Sequence, residues 1–194
     1  MGAEGSIERE RRFFVDGREE KPWRNGDPKH IEQYYLDREL LALKGDVLEY
    51  DGNVLFTLDS YNLALYRENN GWGARLRRQN DEFIFTSKTK GGLQDDASNY
   101  EIEGDIAERS YWNLLDGRVV PHIQKTRYVW KDVQGLEWEI DEFEGPLAGL
   151  VLMEIELKGD QEIDEFPPWT GDEITGLGSW SNRALAESLV SRTD

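Results

Sequence analysis

The sequence predicts a mostly β fold of the α+β class, in which antiparallel strands form the core and a few helices pack outside them. Three observations lead to this prediction. Apolar and polar residues alternate with a period of two in most apolar segments, as they do in strands with one buried face. Turn-forming clusters rich in glycine, asparagine and aspartate separate these segments. Helical periodicity covers only a small part of the 194 residues.

Seven segments show the strand pattern. They are IERERRFFV (7–15), WGARLRRQ (72–79), DEFIFTSKTK (81–90), NYEIEG (99–104), HIQKTRYVW (122–130), LEWEIDEFEG (136–145) and GLVLMEIELKG (149–159). Helices are predicted at 28–34, 105–115, 161–165 and 181–191. The segment 37–71 shows no clear pattern, and we expect it to be an atypical insertion that carries an extra strand or hairpin. Because no linker or repeat interrupts the chain, residues 1–194 are predicted to form a single domain.

The charge balance excludes several classes of partner. The chain has 40 acidic and 23 basic residues, which give a formal net charge of −17. Such a surface repels nucleic acids and anionic membranes, so we expect neither as a partner. The N-terminal segment lacks the apolar core of a signal peptide, and no run approaches the roughly 20 apolar residues of a membrane span. We therefore expect a cytoplasmic protein.

The residue types available limit the metal chemistry. The chain has no cysteine, and His30 and His122 are its two histidines, far apart in sequence. A thiolate nucleophile, a disulfide framework and a histidine-rich metal site are therefore not expected. Carboxylates are abundant, and their hard oxygen atoms suit magnesium, manganese or calcium.

Two glutamates interrupt the most apolar predicted strand. In GLVLMEIELKG, Glu154 and Glu156 share one face, because side chains two residues apart in a strand point the same way. The apolar residues at 151, 153, 155 and 157 take the other face. The same sorting places further charged residues together: Glu8, Glu10 and Arg12; Arg75 and Arg77; Lys125 and Arg127; Glu139 and Asp141; and, singly in neighbouring strands, Lys88 and Glu101.

Three interpretations of these charged faces are open. They form the solvated side of a sheet, a ladder of cross-strand ion pairs, or the inner face of a curved sheet. The third is favoured because the apolar faces continue from strand to strand and need covering, as in a sheet with helices outside and a charged lumen inside. Carboxylates in such a lumen hold divalent cations and arginines bind phosphate oxygens bidentately. The pattern therefore indicates a site for a metal-chelated polyphosphate.

The same residues resemble the motifs of a known family. The segment ERERR is similar to the Glu-x-Glu-x-Lys signature of the CYTH domain of triphosphate tunnel metalloenzymes, with Arg12 in place of the lysine. ARLRRQNDEFIFTSKTKGG resembles the family's Arg-x-Arg hairpin followed by Thr-x-Lys. QKTRY, WEIDEFEGPLAGLVLMEIEL and PPWTGDEIT with SNRALA resemble three further blocks, in the order and spacing of the short bacterial triphosphatase-like members. The similarity covers the chain except for 37–71 and the extreme termini.

The resemblance implies an eight-stranded antiparallel β-barrel tunnel with helices packed outside and a C-terminal helix. It implies three sets of site residues. The metal ligands would be Glu8, Glu10, Glu139, Asp141, Glu154 and Glu156. The triphosphate would be bound by Arg12, Arg75, Arg77, Lys88, Lys125 and Arg127. Lys125, Glu101 and Asp141 would have catalytic roles.

The resemblance also implies an activity. It is hydrolysis of inorganic triphosphate (tripolyphosphate) or an organic triphosphate, with Mg²⁺ or Mn²⁺ as cofactor and Ca²⁺ as an inhibitor. One metal ion would orient the triphosphate and a second would activate a water for attack on the terminal phosphorus, so no protein nucleophile is required. The partner is then a small-molecule triphosphate, and the protein is expected to be a monomer or a homodimer.

Two departures from the family pattern keep other functions open. Asn99 stands where triphosphatase relatives place a glutamate, and the segment GLGSW (176–180) is uncharged where they have acidic and basic residues. A protein that binds a nucleotide or polyphosphate without turnover is one alternative. A class IV-type adenylate cyclase is the other, although the sequence does not reveal the adenine pocket that cyclisation requires.

Overall fold

The structure, a computed structural model, describes residues 4–7, 10–18, 20–90, 99–157 and 161–190, without the side chains of 4–7, 90 and 99. Its strands are β1 Glu4–Ile7, β2 Glu10–Val15, β3 Lys29–Leu36, β4 Leu41–Lys44, β5 Val47–Tyr50, β6 Asn53–Thr57, β7 Gly73–Gln79, β8 Glu82–Lys90, β9 Asn99–Asp105, β10 His122–Lys131, β11 Glu137–Phe143, β12 Val151–Glu156 and β13 Thr170–Glu173. Its α-helices are α1 Ser60–Glu68, α2 Glu108–Leu115 and α3 Asn182–Val190. The prediction of a mostly β fold with few helices is confirmed.

The described residues form two compact units. The first contains the described parts of Met1–Ile7 and Gln33–His122, and the second those of Glu8–Glu32 and Ile123–Thr193. Strand β3 contributes residues to both.

The first unit contains two antiparallel sheets. Strands β1, β9, β8 and β7 are neighbours in that order, and β4, β5 and β6 form a separate three-stranded sheet. A buried apolar cluster connects the two, since Leu48 and Tyr50 of β5 pack with Leu76 of β7 and Phe85 of β8. These side chains come from the apolar face of β7 and β8, so Arg75 and Arg77 lie on the opposite face.

Gly104 shows how closely this packing is fitted. A Cβ atom at this position of β9 would lie 2.9 Å from two ring atoms of Phe56 in β6. Real Cβ contacts are longer, so glycine lets the Phe56 ring lie against the backbone of β9. The segment 37–71 is thereby joined to the apolar side of this sheet.

The second unit contains an antiparallel run of five strands in the order β10, β11, β12, β2 and β13. One face is apolar and buried, with Trp138 and Ile140 of β11 packed against Met153 and Ile155 of β12. Because strand side chains alternate between faces, Glu139, Asp141 and Glu154 take the other face. The alternation predicted for these strands is therefore confirmed.

Most predicted elements are present. Each of the seven predicted strand segments contains a strand, namely β2 and β7 to β12, and the predicted helices at 105–115 and 181–191 contain α2 and α3. The segment 37–71 carries three strands and α1, which is more than the single strand or hairpin expected.

Two predicted helices are wrong. In place of the helix predicted at 28–34, residues 29–34 lie in β3, where Ile31, Gln33 and Tyr35 are buried with a period of two. The buried Gln33 amide donates to the Tyr35 hydroxyl at 2.9 Å, which satisfies this polar side chain in the interior. Because a polar residue occupies a buried position, the alternation of apolar and polar residues typical of a strand is not evident in this sequence. Residues 161–165 form no helix. Among the described residues, none of the helices has the length and apolar character needed to cross a membrane.

Candidate functional site

Predicted site residues of the second unit form one group on the charged face of its sheet. We call this group the Arg127 cluster; its members are Glu10, Arg12, Lys125, Arg127, Glu139, Asp141 and Glu154. The strand register places them side by side. Arg127 of β10 is opposite Asp141 of β11, Glu139 is opposite Glu154 of β12, and Glu154 is opposite Arg12 of β2.

Arg127 lies at the centre of this cluster. Its Nε and Nη2 atoms donate to the two carboxylate oxygens of Asp141 at 2.6 and 2.7 Å, which is the bidentate geometry of a strong charge-assisted pair. The same side chain forms an ion pair with Glu139 and lies 3.4 Å from Glu154 Oε2. Burial lowers the pKa of Arg127, but these carboxylates outweigh it, so the pKa is raised and the residue stays charged.

Lys125 and Asp141 form a completely buried ion pair. The exposed fraction of their side chains is 0% and 1%, and the ammonium group donates to Asp141 Oδ2. Burial raises the pKa of Asp141, but Arg127 and Lys125 lower it further than burial raises it. Burial and the neighbouring Arg127 lower the pKa of Lys125 against the opposing effect of Asp141. Two cations thus share one carboxylate, which holds both cations in fixed positions.

Arg12 connects the cluster to the C-terminal part of the second unit. Its guanidinium pairs with Glu154 and lies 2.9 Å from Glu10, and its Nη1 donates to the Trp180 carbonyl at 3.3 Å. The Trp180 ring packs edge-on against Phe14, two residues from Arg12 on the same strand, with ring centroids 4.6 Å apart. The uncharged segment 176–180 therefore contacts Arg12, a predicted phosphate-binding residue, through the Trp180 backbone carbonyl, while the Trp180 ring packs on Phe14.

Glu154 is the most buried of the predicted glutamate metal ligands in the described chain, with an exposed residue fraction of 9%. Burial raises its pKa, but Arg12 and Arg127 outweigh that effect and lower it. Its Oε1 atom touches Arg12 as an ion pair yet accepts no hydrogen bond from the described residues. Glu156, two residues on, is exposed and is paired in register with Glu10.

Predicted site residues of the first unit form a second group, the Arg75 cluster, on the face of β7, β8 and β9 that carries the charged side chains. Its members are Arg75, Arg77, Thr86, Lys88, Glu101 and Glu103. Arg75 Nη2 donates to Thr86 Oγ1 at 3.0 Å and to Glu101 Oε1 at 3.1 Å. Lys88 Nζ lies 3.1 Å from Glu101 Oε2. Burial raises the pKa of Glu101, but Arg75 and Lys88 outweigh it and lower the pKa.

The carboxylates of the Arg127 cluster are chemically suited to bind a hard divalent cation. They supply only oxygen donors, and Glu154 Oε1 is a buried acceptor with spare bonding capacity. Each described carboxylate of the Arg127 cluster is paired with a cation side chain, and the described residues contain no group of three acidic or histidine side chains arranged to hold a metal. Metal binding therefore requires these carboxylates to exchange arginine contacts for metal contacts.

The structure thus brings together most predicted site residues of each unit. Of the other predicted positions, Glu8 lies outside the described residues, and Glu156 is exposed and is not a member of the Arg127 cluster. The side chain of Asn99, the noted departure from the family pattern, is not described. Sequence reasoning gave no role to Thr86 or Trp180 and did not identify Glu103 as a partner of the arginines. The Thr-x-Lys motif and the period of two in β9 were the signals that could have identified Thr86 and Glu103.

An open pocket with a volume of about 680 Å³ lies in the second unit. Its lining comes from the ends of β2, β11 and β12 and includes Phe14, Lys21, Glu142 and Phe143. None of the predicted site residues lines it. The candidate functional residues of each unit are therefore those of its charged cluster, and the pocket lies apart from the Arg127 cluster's residues.

Comparison with known proteins gives similar relatives over much of the chain. The inorganic triphosphatase of Nitrosomonas europaea is 37% identical over 118 residues, covering 59% of this chain and 75% of that protein. The inorganic triphosphatase of Acetivibrio thermocellus is 35% identical over 115 residues, covering 59% of this chain and 71% of that protein. No protein-family model matches the sequence.

A solved structure of the inorganic triphosphatase NE1496 shares the fold. It superposes with a TM-score of 0.53 and 24% identity, over 93% of this chain and 95% of that one. A second structure of NE1496, described as a hypothetical protein, has a TM-score of 0.54 and 26% identity, over 92% of this chain and 97% of that one.

Proposed function

Because the chain belongs to the triphosphate tunnel metalloenzyme family, which includes the inorganic triphosphatases, we propose that it is a metal-dependent hydrolase of triphosphates. Its substrate is inorganic triphosphate or an organic triphosphate, and its product includes phosphate released from a phosphoanhydride bond. The names of both curated relatives support the inorganic substrate.

The observation that carries the proposal is a pair of buried donors without acceptors. Arg12 Nε in the second unit and Arg75 Nε in the first are buried, and neither meets a hydrogen-bond acceptor among the described residues. A buried N–H without a partner is costly, so such donors point to an absent water or anion. Phosphate oxygens, which accept many hydrogen bonds, would satisfy either donor.

The basic residues are proposed to bind the substrate and stabilise charge. They are Arg12, Arg75, Arg77, Lys88, Lys125 and Arg127. Since ion pairs already fix Arg127 and Lys125, little reorganisation is needed when negative charge develops on the phosphoryl oxygens and the leaving group. Lys125 acts from a buried position, where its contact with Asp141 fixes both groups.

The acidic residues are proposed to hold Mg²⁺ or Mn²⁺. They are Glu8, Glu10, Glu139, Asp141, Glu154 and Glu156. A divalent ion bound by carboxylates polarises phosphoryl oxygens and lowers the pKa of a bound water. Glu101, held between Arg75 and Lys88, is proposed to orient the attacking water as an acceptor. Ca²⁺, which accepts longer and more numerous oxygen contacts, is proposed to inhibit.

The finer architecture and the location are further parts of the proposal. We propose a single domain over residues 1–194, with an eight-stranded antiparallel β-barrel tunnel, helices packed outside it and an atypical insertion at 37–71. The protein is proposed to be cytoplasmic and to act as a monomer or homodimer, without nucleic acid or membrane partners.

A non-catalytic binding protein is the second candidate function. The described carboxylates of the Arg127 cluster are all engaged by cations, and Asn99 replaces an acid expected from the family pattern. Such a protein would bind a triphosphate and release no product. The class IV-type adenylate cyclase stays a further alternative, which the same assay can identify.

The test is phosphate release from tripolyphosphate, ATP and thiamine triphosphate, each with Mg²⁺, Mn²⁺, Mg²⁺ plus Ca²⁺, or chelator, on wild type and Glu156→Gln. Metal-dependent release that the variant loses would establish the hydrolase and rank the substrates. Tripolyphosphate binding without release would establish the binding protein, and cyclic nucleotide formed from ATP would establish the cyclase. Release that persists in chelator would overturn the metal-dependent mechanism.

A further inference from the structure

Glu103 occupies a central place in the Arg75 cluster that the proposed chemistry does not use. It lies in β9 on the same face as Glu101, because the two residues are two apart in one strand. The register aligns Glu103 of β9 with Thr86 of β8, and Thr86 with Arg75 of β7. Glu103 thus faces both arginines of the Arg-x-Arg pair across one intervening strand.

The contacts of Glu103 go to groups that hold or form the predicted phosphate site. Both of its oxygens lie 3.1 Å from Arg77 Nη2. Oε2 also accepts a hydrogen bond from Thr86 Oγ1 at 2.9 Å and lies 3.6 Å from Arg75 Nη2. Thr86 Oγ1 in turn accepts from Arg75. The side chain is one-third exposed, so these contacts sit at the border of the cluster and solvent.

The charges of Arg75, Arg77 and Glu103 indicate how Glu103 can affect ligand binding. Arg75 and Arg77 lie two residues apart on one strand face, where their like charges repel and tend to turn the guanidinium groups away from each other. The Glu103 carboxylate attracts both. The charge-assisted contacts restrict the rotation of two long side chains that would otherwise lose conformational entropy on binding a ligand.

We propose that Glu103 is a positioning residue for the triphosphate site. It holds Arg77 directly and Arg75 through Thr86, so that both guanidinium groups are preorganised for the phosphate oxygens. The proposal rests on the proposed function in taking a triphosphate as the ligand. It does not require turnover, since preorganisation already acts on binding.

A positioning role and a simple charge effect predict opposite changes in tripolyphosphate affinity for the substitution Glu103→Gln. Glu103→Gln removes a negative charge beside a polyanion site, so charge alone predicts tighter tripolyphosphate binding. If Glu103 positions the arginines, the same change weakens binding because the guanidinium groups must be ordered by the ligand. Asp105→Asn is the matched control, because Asp105 is exposed and lies on the same face of β9 two residues further on.

The experiment is calorimetric titration of wild type, Glu103→Gln, Asp105→Asn, Thr86→Val and the Glu103→Gln/Thr86→Val double variant with tripolyphosphate, with chelator and with Mg²⁺. We expect Kd to rise about fivefold to tenfold in Glu103→Gln and to stay equal or fall in Asp105→Asn. Thr86→Val is expected to raise Kd as well, and the double variant to show less than the sum of the two effects. The titration stoichiometry reports the folded fraction, so a purely structural role would change stoichiometry and leave Kd unaltered.

Binding that is equal or tighter in Glu103→Gln, or additive effects with Thr86→Val, would overturn the positioning role. A rise in Kd only when Mg²⁺ is present would also overturn it and assign Glu103 to metal binding. Phosphate release measured on the same samples separates the two proposals. A wild type that binds without hydrolysis fails the proposed function while the titrations still decide the role of Glu103, and a wild type that does not bind tripolyphosphate overturns both.

Discussion

Arg12 and Glu154 face each other across β2 and β12 as an ion pair, yet each keeps one buried atom without a hydrogen-bond partner among the described residues. The two atoms differ in kind, since Arg12 Nε is a donor without an acceptor and Glu154 Oε1 is an acceptor that contacts Arg12 only as an ion pair. A metal-chelated triphosphate supplies both complements, namely phosphate oxygens for the donor and a cation for the acceptor. This pair is therefore the first place to test the site.

The substitution Glu154→Gln is expected to remove most metal-dependent hydrolysis. The amide cannot replace the charge that attracts a divalent ion, and it leaves Arg12 and Arg127 with a weaker partner. We expect kcat/KM for tripolyphosphate to fall by about a hundredfold or more, with a folded protein by circular dichroism. The matched control is Glu137→Gln, on the same sheet but exposed. Full activity in Glu154→Gln would remove Glu154 from the site.

Charge reversal at Arg75 is expected to abolish tripolyphosphate binding. Arg75→Glu replaces a donor by a carboxylate that repels the ligand and faces Glu101 and Glu103. Arg78→Glu is the control, because Arg78 lies on the opposite face of the same strand. We expect affinity to fall by about a hundredfold or more for the first change and by less than about threefold for the second. Equal losses in the two variants would show that overall charge governs binding.

Loss of the Trp180 ring is expected to weaken tripolyphosphate binding through its effect on the position of Arg12. In Trp180→Ala the contact with Phe14 is lost, so the backbone carbonyl that accepts from Arg12 is held less firmly. We expect the KM for tripolyphosphate to rise about threefold to tenfold with a smaller change in kcat. Leu177→Ala serves as control, since Leu177 is exposed in the same segment. A change in kcat alone would place Trp180 in the chemical step instead.

Glu142 is expected to make the free energy of unfolding depend on pH in the acid range. Burial raises its pKa, but hydrogen bonds from Arg24, Trp23 and Lys21 outweigh it and lower the pKa from 4.5 to about 2. A lowered folded-state pKa means that the carboxylate stabilises the fold fully above about pH 4.5 and that this stabilisation is lost as the pH falls toward 2. Linkage converts this shift into about 3 kcal/mol at neutral pH, and solvent screening of the partly exposed Arg24 pair reduces the contribution to about 2 kcal/mol or less.

Urea unfolding of wild type and Glu142→Gln between pH 2 and pH 7 measures this contribution. The difference in unfolding free energy should be largest at pH 7 and should shrink between pH 4.5 and pH 2. Glu162→Gln, a change at an exposed position, should show no such trend. A difference that does not vary with pH would exclude Glu142 as the source.

The fold was predictable where burial is one-sided. In β11 and β12 the alternation of Trp138, Ile140, Met153 and Ile155 with acidic residues follows directly from a sheet with one apolar face. The pattern fails in β3, where a buried amide replaces an apolar side chain, and in β13, whose four residues include no buried side chain. These strands depend on pairing with neighbours that the sequence alone does not specify.

The sequence predicted which residues belong to the candidate site, but not which of them contact each other. Alternation and the family motifs identified Arg75, Arg127 and Asp141, because those signals are local in sequence. The partnership of Glu103 with Arg77 depends on the register of β7, β8 and β9, which joins residues 26 positions apart. The contact between Arg12 and Trp180 spans 168 positions through a backbone carbonyl, which leaves no mark on residue type.

Sequence evolution is constrained by the apolar cluster that the segment 37–71 shares with strands β7 and β8. Leu48 and Tyr50 cover Leu76 and Phe85, so an ancestor or descendant without the segment would present these residues to water. Such a bare patch promotes self-association. Gain or loss of the segment is therefore expected to accompany substitutions in β7 and β8, and a larger residue in place of Gly104 requires the Phe56 ring to move.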